Sequence, residues 1–267
     1  MSHRPVAIVT GASSGIGAET ALALARRGYA VVLAARRADR LQEVAERCEQ
    51  AGGLARVTVT DVAVEKQVKT LVAGAVEEFG RLDAMVNNAG LGVFARAHET
   101  TTQDMRAIFE VNFFGLFYGC KAAAAVMTRQ RSGHIFNVSS VLGKRGSPFH
   151  GAYSATKFAV CGLTDALRVE LMPYNIHVTC VLPALTATEF FKGSPRGRAA
   201  RSGFRKWQGI VPARLVGERI AAAVGKSRPE ILFSAGGRLL TVISALWPRA
   251  ADAMMRIYLD DLVKNLK

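Results

Sequence analysis

The chain has 267 residues, half of them hydrophobic, and a formal net charge of +14. That length suffices for one large core, and the charge attracts anions. The cysteines and histidines are scattered and lack the spacing of disulfide pairs or metal ligands. This predicts free thiols in a reducing compartment, the cytoplasm, and no metal site. No nucleic-acid-binding motif accompanies the charge, so no nucleic acid partner is expected. No signal peptide or apolar run of about 20 residues is evident, so no export or membrane span is expected.

Two hydrophobic patterns alternate along the chain. Short apolar runs rich in β-branched residues predict strands at 6–10, 30–34, 55–59, 84–88, 134–138, 177–181 and 230–233. Helical patterns predict helices at 16–27, 37–50, 64–79, 101–128, 153–171 and 215–224. This alternation indicates one α/β domain over 1–267, a doubly wound parallel sheet (Rossmann fold) with helices on both faces. Ligands bind such sheets beyond the carboxyl ends of the strands, so residues that follow strands are the candidates.

A glycine-rich turn, TGASSGIG, follows the first predicted strand. Gly11, Gly15 and Gly17 permit a tight turn and let backbone N–H groups approach a pyrophosphate at a helix N-terminus. Ser13 and Ser14 add hydroxyl donors. A glycine turn alone could simply connect two elements, and the spacing is GxxxGxG rather than GxGxxG. The strand–turn–helix context favours binding of a dinucleotide.

The second predicted strand ends in AVVLAARR, with Ala35 followed by Arg36 and Arg37. A site for NAD favours an acidic residue near this point, to bind the ribose 2′-hydroxyl. Guanidinium groups instead bind a 2′-phosphate through charge-assisted hydrogen bonds, so NADP(H) is favoured over NAD. The alternative is that both arginines merely begin a helix.

Candidate cofactor contacts also follow the third and fourth strands. Asp61 and Val62 come after the third strand, where the carboxylate could accept from the adenine amino group. Asn88, Ala89 and Gly90 come after the fourth, where small residues leave room for a flat ring. Both sets have structural alternatives, a helix N-cap for Asp61 and a simple turn for Asn88 and Gly90.

A hydroxyl, a phenol and an ammonium converge after the fifth strand. The segment NVSS ends at Ser140, and YSATK places Tyr153 and Lys157 one helical turn apart on the same face. A surface helix would explain YxxxK taken alone. Beside Ser140, however, an ammonium close to the phenol would lower the tyrosine pKa from about 10 towards the working pH.

In its ordered motifs the sequence resembles the short-chain dehydrogenase/reductase family, over about residues 5–190. The motifs are TGASSGIG, NNAG, the asparagine of VNFFG, the serine of NVSS, and YSATK. The resemblance implies a catalytic tetrad of Asn112, Ser140, Tyr153 and Lys157. It implies cofactor contacts from Ser13, Ile16, Arg36, Asp61, Val62 and Asn88, and from the PALTAT segment, with Pro183, Thr186 and Thr188. PALTAT departs from the family's PGxVxT pattern at two positions, with Ala184 in place of the glycine and Thr186 in place of the valine.

These residues predict hydride transfer between NADP(H) and a carbonyl or alcohol of an apolar or lipid-like small molecule. Tyr153 would be the general acid or base, Ser140 would donate to the substrate oxygen, and Lys157 would lower the tyrosine pKa. Tyr153 and Lys157 are also expected to contact the cofactor, with Lys157 donating to the nicotinamide ribose hydroxyls. Asn112 would hold a water linking Lys157 to solvent, or would be a polar residue within its helix. The alternative function is a non-catalytic NADP-binding sensor, which would not need Tyr153 and Lys157 together.

Two segments outside the motifs bear on substrate and partners. By topology, 189–212 is a substrate lid, rich in aromatic and basic side chains, or an ordinary solvated loop. We expect substrate contacts from Ser140, Leu142, His150, Tyr153 and Phe190. The C-terminal extension, about 236–267, has an apolar first half, which favours packing on the core or on another subunit. The second hypothesis for this segment is peripheral contact with a membrane. The family resemblance implies a homodimer or homotetramer.

Overall fold

The computed structural model describes residues 4–184, 186 and 211–266 of the chain. Its centre is a seven-stranded parallel sheet with the strand order β3-β2-β1-β4-β5-β6-β7. The strands are β1 Val6–Thr10, β2 Ala30–Ala35, β3 Leu54–Val59, β4 Ala84–Asn87, β5 Gly133–Val138, β6 Ile176–Leu182 and β7 Glu230–Leu232. The predicted fold class, a doubly wound parallel sheet, is confirmed.

Helices cover both faces of this sheet. They are α1 Gly15–Ala25, α2 Ala38–Gln50, α3 Glu65–Phe79, α4 Thr102–Phe109, α5 Gly115–Gln130, α6 Gly151–Leu171, α7 Ala213–Ala223, α8 Ala235–Leu246 and α9 Pro248–Leu266. Side chains alternate along β1, so Ala7 and Val9 join the core beneath α1 and α2, whereas Ile8 joins the core beneath α3 and α5. Because both faces are buried, the inner strands are largely apolar, and polar side chains within them, such as Asn137 and His134 of β5, are hydrogen-bonded.

The helix predicted at 101–128 is interrupted. A π-helical turn at Glu110–Phe114, which contains Asn112, joins α4 to α5. The continuous stretch Thr102–Gln130 contains an 18-residue window with a mean hydropathy of 1.2, which is long and apolar enough to span a membrane, so the expectation that no such run exists was wrong. Leu116 and Met127 of this stretch lie in the core beneath the sheet, as expected of a core helix in a folded α/β domain.

The sheet brings the candidate residues to one edge. Strand order reverses at β1, which lies between β2 and β4, and the chain leaves both strands at the same end. The Thr10 hydroxyl ties these ends together, accepting from the backbone N–H groups of Asn88 and Ala89 at 3.0 and 3.1 Å. The crevice of a doubly wound fold therefore opens beside the glycine-rich turn.

Two buried histidines predict an acid-sensitive core. His134 is fully buried, 2.8 Å from the Thr179 hydroxyl through Nε2, and accepts from the Gly225 N–H through Nδ1. Burial lowers its pKa from 6.5 to about 3, and that of His150 to about 4. The unfolded chain therefore binds more protons below pH 6.5. We expect the free energy of unfolding to fall by about 1.4 kcal/mol per pH unit for each histidine as pH drops from about 6 to 4.

Urea unfolding at several pH values measures this slope. His134→Gln should make the profile shallower in that range, because the glutamine amide does not titrate. His98→Gln, at an exposed imidazole, is the matched control and should leave the slope unchanged. Equal slopes for wild type and His134→Gln would contradict a buried neutral imidazole.

Candidate active site

The turn between β1 and α1 has the backbone geometry that requires glycine. Gly11 and Gly15 have φ of +64° and +57°, in the left-handed region. A Cβ on Gly11 would lie 2.8 Å from the Ala89 Cα atom, and one on Gly17 would collide with the Gly11 carbonyl oxygen. The cap residue of α1, Ser14, makes no side-chain capping bond, so the first N–H groups of α1 lack that partner. This cradle fits a phosphate group at a helix N-terminus.

One cavity of about 380 Å³ runs from this turn to α6. Its walls contain most of the predicted cofactor and catalytic residues, namely Gly11, Ser13, Ser14, Gly15, Ile16, Arg36, Arg37, Asp61, Val62, Asn88, Ala89, Gly90, Ser140, Leu142, Tyr153, Lys157, Pro183 and Thr186. The structure thus brings the ends of β1, β2, β4 and β5 to one space. Gly17 does not line the cavity and instead permits the close approach of α1 to Gly11.

The two arginines after β2 have different surroundings. Arg37 donates to the Ser13 hydroxyl at 3.1 Å and to the Ser14 hydroxyl at 2.9 Å, bracing the glycine-rich turn. Arg36 is exposed and lines the same cavity. Ala35, the last residue of β2, supplies no carboxylate. This end of the cavity is therefore electropositive.

Asp61 and Asn88 serve partly as braces. The Asp61 carboxylate accepts from the Ala63 N–H at 3.0 Å, closing a tight turn after β3. Asn88 donates its side-chain amide to the Thr10 carbonyl oxygen at 2.9 Å. Asp61 is not the helix N-cap that the sequence offered as an alternative, since Val64 occupies that position before α3. Asp61 and Asn88 both line the cavity as well.

Ser140, Tyr153 and Lys157 meet where β5 ends against α6. The Ser140 hydroxyl accepts from the Leu142 N–H at 3.1 Å and hydrogen-bonds to Tyr153. The Lys157 Nζ atom is buried, donates to the Val138 carbonyl oxygen at 2.8 Å, and lies 5.6 Å from the centre of the Tyr153 ring. The spacing of YxxxK therefore places the cation beneath the phenol ring.

The pKa of Tyr153 departs from the sequence-based prediction. Burial raises it above the usual value of 10.0, and the hydrogen bond with Ser140 acts in the opposite direction without reversing the shift. Burial also lowers the pKa of Lys157 from 10.5 to about 8. The protein surroundings alone thus keep the phenol protonated at neutral pH, because desolvation outweighs the hydrogen bond with Ser140.

Asn112 lies behind the cavity wall rather than in it. Its amide oxygen accepts from the Leu91 N–H at 2.8 Å, and its amide nitrogen donates to the Leu91 carbonyl oxygen at 2.9 Å. The same nitrogen reaches the Thr156 hydroxyl at 3.2 Å. Asn112 thereby fixes Leu91, which does line the cavity, against α6. Its predicted role in holding a water stays a prediction.

The structure places the predicted substrate-binding residues in different surroundings. Leu142 lines the cavity, but His150 does not; it is fully buried, its ring packs edge-on against Phe94, and its Nδ1 atom lies 3.0 Å from the Pro148 carbonyl oxygen. His150 thus lies outside this cavity, because α6 begins one residue later and the imidazole is buried in the core. Its contact with substrate stays a prediction. Thr188, Phe190 and the lid up to residue 210 lie outside the described residues.

Sequence reasoning missed several wall residues, Leu91 and Val111 among them, and the packing of the C-terminal helix. Leu91 directly follows the motif NNAG and Val111 is the first residue of VNFFG, so the neighbours of the motif residues would have indicated both. Helix α9 places Tyr258 and Leu262 in a buried apolar cluster that Tyr153 packs against. The second half of the C-terminal extension therefore belongs to the core beside the site.

A doubly wound parallel sheet with a glycine cradle at its switch point defines a nucleotide-binding α/β protein. The short chain dehydrogenase family model matches residues 5–199, and the chain belongs to this family of nicotinamide-dependent oxidoreductases.

Several relatives and solved structures are similar. The uncharacterized oxidoreductase YxnA of Bacillus subtilis is 33% identical over 94% of this chain and 71% of its own. A 3-ketodihydrosphingosine reductase of Bacteroides thetaiotaomicron is 36% identical over 69% of this chain and 65% of its own. An alcohol dehydrogenase from Thermococcus sibiricus, complexed with 5-hydroxy-NADP, superposes with a TM-score of 0.77 at 29% identity, covering 87% of this chain and 97% of that one. An NAD+-bound xylitol dehydrogenase gives 0.78 at 25% identity, covering 88% and 99%.

Proposed function

We propose that the protein is an NADP(H)-dependent oxidoreductase that interconverts a carbonyl and an alcohol on an apolar, lipid-like substrate. One observation carries the proposal: the glycine cradle, the arginines after β2 and the group Ser140, Tyr153 and Lys157 line a single cavity. A non-catalytic sensor is not favoured, since binding a nucleotide does not require a buried ammonium beneath a phenol.

The residues present fit a nicotinamide dinucleotide. The N–H groups at the start of α1 would hold the pyrophosphate, beside Gly11 and Gly15, which line the cavity with left-handed backbone. Arg36 would hold the 2′-phosphate, and Asp61 and Val62 would border the adenine. When bound, the nicotinamide supplies or accepts the hydride.

The side chains at the other end of the cavity would handle the proton. In the reducing direction the Tyr153 hydroxyl protonates the substrate oxygen, and in the oxidising direction the phenolate accepts that proton. Ser140 donates a hydrogen bond to the same oxygen, where negative charge develops. The Lys157 ammonium stabilises the phenolate left after proton transfer and is held in place by the Val138 carbonyl.

The wall composition favours an apolar substrate. Leu91, Val111, Val141, Leu142 and Ala184 line the cavity around the catalytic group. Apolar walls with a few convergent polar groups are typical of sites for small apolar ligands. The name of the Bacteroides thetaiotaomicron relative, which describes reduction of a ketone on a sphingoid chain, supports the same substrate class.

Loss of NADPH absorbance with a panel of carbonyl compounds tests the function. We expect turnover with long-chain or polycyclic ketones and little with small sugars. Tight NADPH binding without turnover of any carbonyl or alcohol in the panel would favour the sensor.

The choice of cofactor depends on Arg36. Arg36→Ala should raise the dissociation constant for NADPH about tenfold and change that for NADH little, because only the 2′-phosphate loses a charge-assisted partner. Titration of protein fluorescence with each nucleotide measures both constants. Arg40→Ala, which removes an exposed guanidinium that pairs with Glu43, is the control. Equal weakening of both nucleotides would contradict 2′-phosphate recognition.

The remaining predictions join the proposal. Exposed Phe114, Phe158 and Val169 support assembly as a homodimer or homotetramer, an arrangement frequent in this family. Three further statements stay predictions: a single domain over 1–267, a substrate lid at 189–212, and a cytoplasmic location. Most of the lid lies outside the described residues.

A further inference from the structure

Helix α8 and the corner after it carry an exposed apolar surface. Leu239, Val242 and Leu246 lie on one face at helical spacing, and Trp247 follows at the corner before α9. Their exposed fractions are 59%, 45%, 62% and 62%. We call these four side chains the α8 patch. Large apolar side chains grouped in this way on a surface mark an interaction site.

The opposite face of α8 already holds the helix on the domain. Gly237 and Leu240 are its buried residues, and the absent Gly237 side chain allows close packing, since a Cβ there would lie 2.9 Å from Val141. Val141 lines the candidate active site next to Ser140. The α8 patch therefore contributes little to the fold, yet it belongs to a helix packed on the wall of the site.

The segment that carries the patch has only basic charges, and the first acidic residue after it, Asp252, pairs with Arg145. Residues 235–250 contain Arg238 and Arg249 and no acidic residue, on a chain whose net charge is +14. Both arginines are exposed and flank the apolar side chains. The surface therefore combines an apolar centre, a tryptophan and a basic rim, which is the composition that binds the headgroup region of an anionic bilayer.

We propose that the α8 patch docks the protein on an anionic lipid bilayer. Leu246 and Trp247 enter the interface, while Arg238 and Arg249 contact lipid phosphates. This docking goes beyond the proposed reaction and does not depend on it. It would hold α8, and with it the Val141 wall, against the membrane from which a lipid-like substrate could enter.

Shape and length argue for a bilayer surface over the other occupants. With 12 residues, α8 is too short to cross a bilayer. All residues from 245 to 250 are exposed, so the corner protrudes and forms no groove. A stable dimer interface needs about 800 Å² from each partner, and four partly exposed side chains at a protruding corner supply less.

Flotation of the full chain with vesicles tests the proposal. We compare vesicles of phosphatidylcholine alone with vesicles of phosphatidylcholine and phosphatidylglycerol, and expect binding mainly to the second. The double variant Leu246→Glu with Trp247→Glu should lower the partition coefficient at least tenfold. Arg238→Gln with Arg249→Gln should lower it about fivefold for each arginine and remove the preference for anionic lipid.

The controls separate docking from folding and from catalysis. Met172→Glu changes a side chain that is equally exposed, 64%, but lies in the turn just before β6, and should float like wild type. In a Trp207→Phe background Trp247 is the remaining tryptophan, and its emission should shift to the blue with anionic vesicles. The patch variant should retain its melting temperature and its turnover of a soluble carbonyl, a result that also separates docking from the proposed function.

Two results would overturn the proposal. One is equal flotation of the Leu246→Glu/Trp247→Glu variant and wild type. The other is no binding of wild type to either vesicle. A smaller molar mass of the patch variant by light scattering would then assign the patch to contact between copies of the chain.

Discussion

Tyr153→Phe should lower kcat for carbonyl reduction by about 10³-fold or more and leave NADPH affinity within about twofold of wild type. The Tyr153 phenol hydrogen-bonds to Ser140 in the cavity, and the Lys157 Nζ atom lies 5.6 Å from the centre of its ring. Removing its hydroxyl deletes the proton donor, and general acid catalysis contributes about 10²- to 10⁴-fold. Phenylalanine keeps the ring, so the cavity wall retains its shape. Steady-state kinetics and nucleotide titration on the same preparation measure both quantities.

The matched control is Tyr258→Phe. Tyr258 is buried, belongs to the apolar cluster that Tyr153 packs against, and hydrogen-bonds to Ser147. It does not line the cavity, so its loss should cost some stability and leave kcat within a few-fold of wild type. Near-normal turnover of Tyr153→Phe would refute the proposed acid, and equal losses in both variants would indicate a packing effect.

The fold could be predicted because both faces of the sheet are buried. Strands such as β1 and β2 must then be apolar along nearly their whole length, which separates them from the amphipathic helices around them. The site followed from topology, since the carboxyl ends of parallel strands share one edge. The fold, the common edge and most of the cavity wall were therefore within reach of the sequence.

The sequence-based predictions failed where the spacing of residues along the chain does not show which side chains are buried. The π-helical turn at Glu110–Phe114 escaped prediction because a local extra residue per turn barely alters the hydrophobic pattern of a long helix. His150 resembles a loop residue in sequence, yet the loop folds inward and buries it. The sequence indicated that Lys157 places a positive charge near Tyr153. The desolvation of that ammonium depends on packing by distant strands, so the spacing YxxxK could not predict it.

That desolvation makes Lys157 costly for the fold. A pKa lowered from 10.5 to about 8 corresponds to about 3 kcal/mol of destabilisation below pH 8. Between about pH 8 and 10.5 the unfolded chain binds more protons than the folded one, so wild-type stability should rise with pH across that window. At neutral pH the fold therefore carries a charged group that the reaction requires and that packing disfavours.

Lys157→Met should consequently raise stability and abolish activity. At pH 7 we expect the free energy of unfolding to rise by about 2 kcal/mol, since removal of the buried charge outweighs loss of the hydrogen bond to Val138. The advantage should shrink from pH 8 upward and vanish near pH 10.5. Turnover should fall about 10²-fold or more, because the phenolate loses its cation. Urea unfolding at several pH values and steady-state kinetics measure the two effects.

Lys121→Met is the control, since this exposed lysine pairs only with Glu65 on the surface among the described residues. This variant should change the free energy of unfolding by no more than about 0.5 kcal/mol, as is usual when a surface ion pair is lost. Its turnover should equal that of wild type. A Lys157→Met variant less stable than wild type at pH 7 would mean that hydrogen bonding fully compensates the buried ammonium. The pH dependence of wild-type stability between 8 and 10.5 would then be flat, which gives an independent check on the same conclusion.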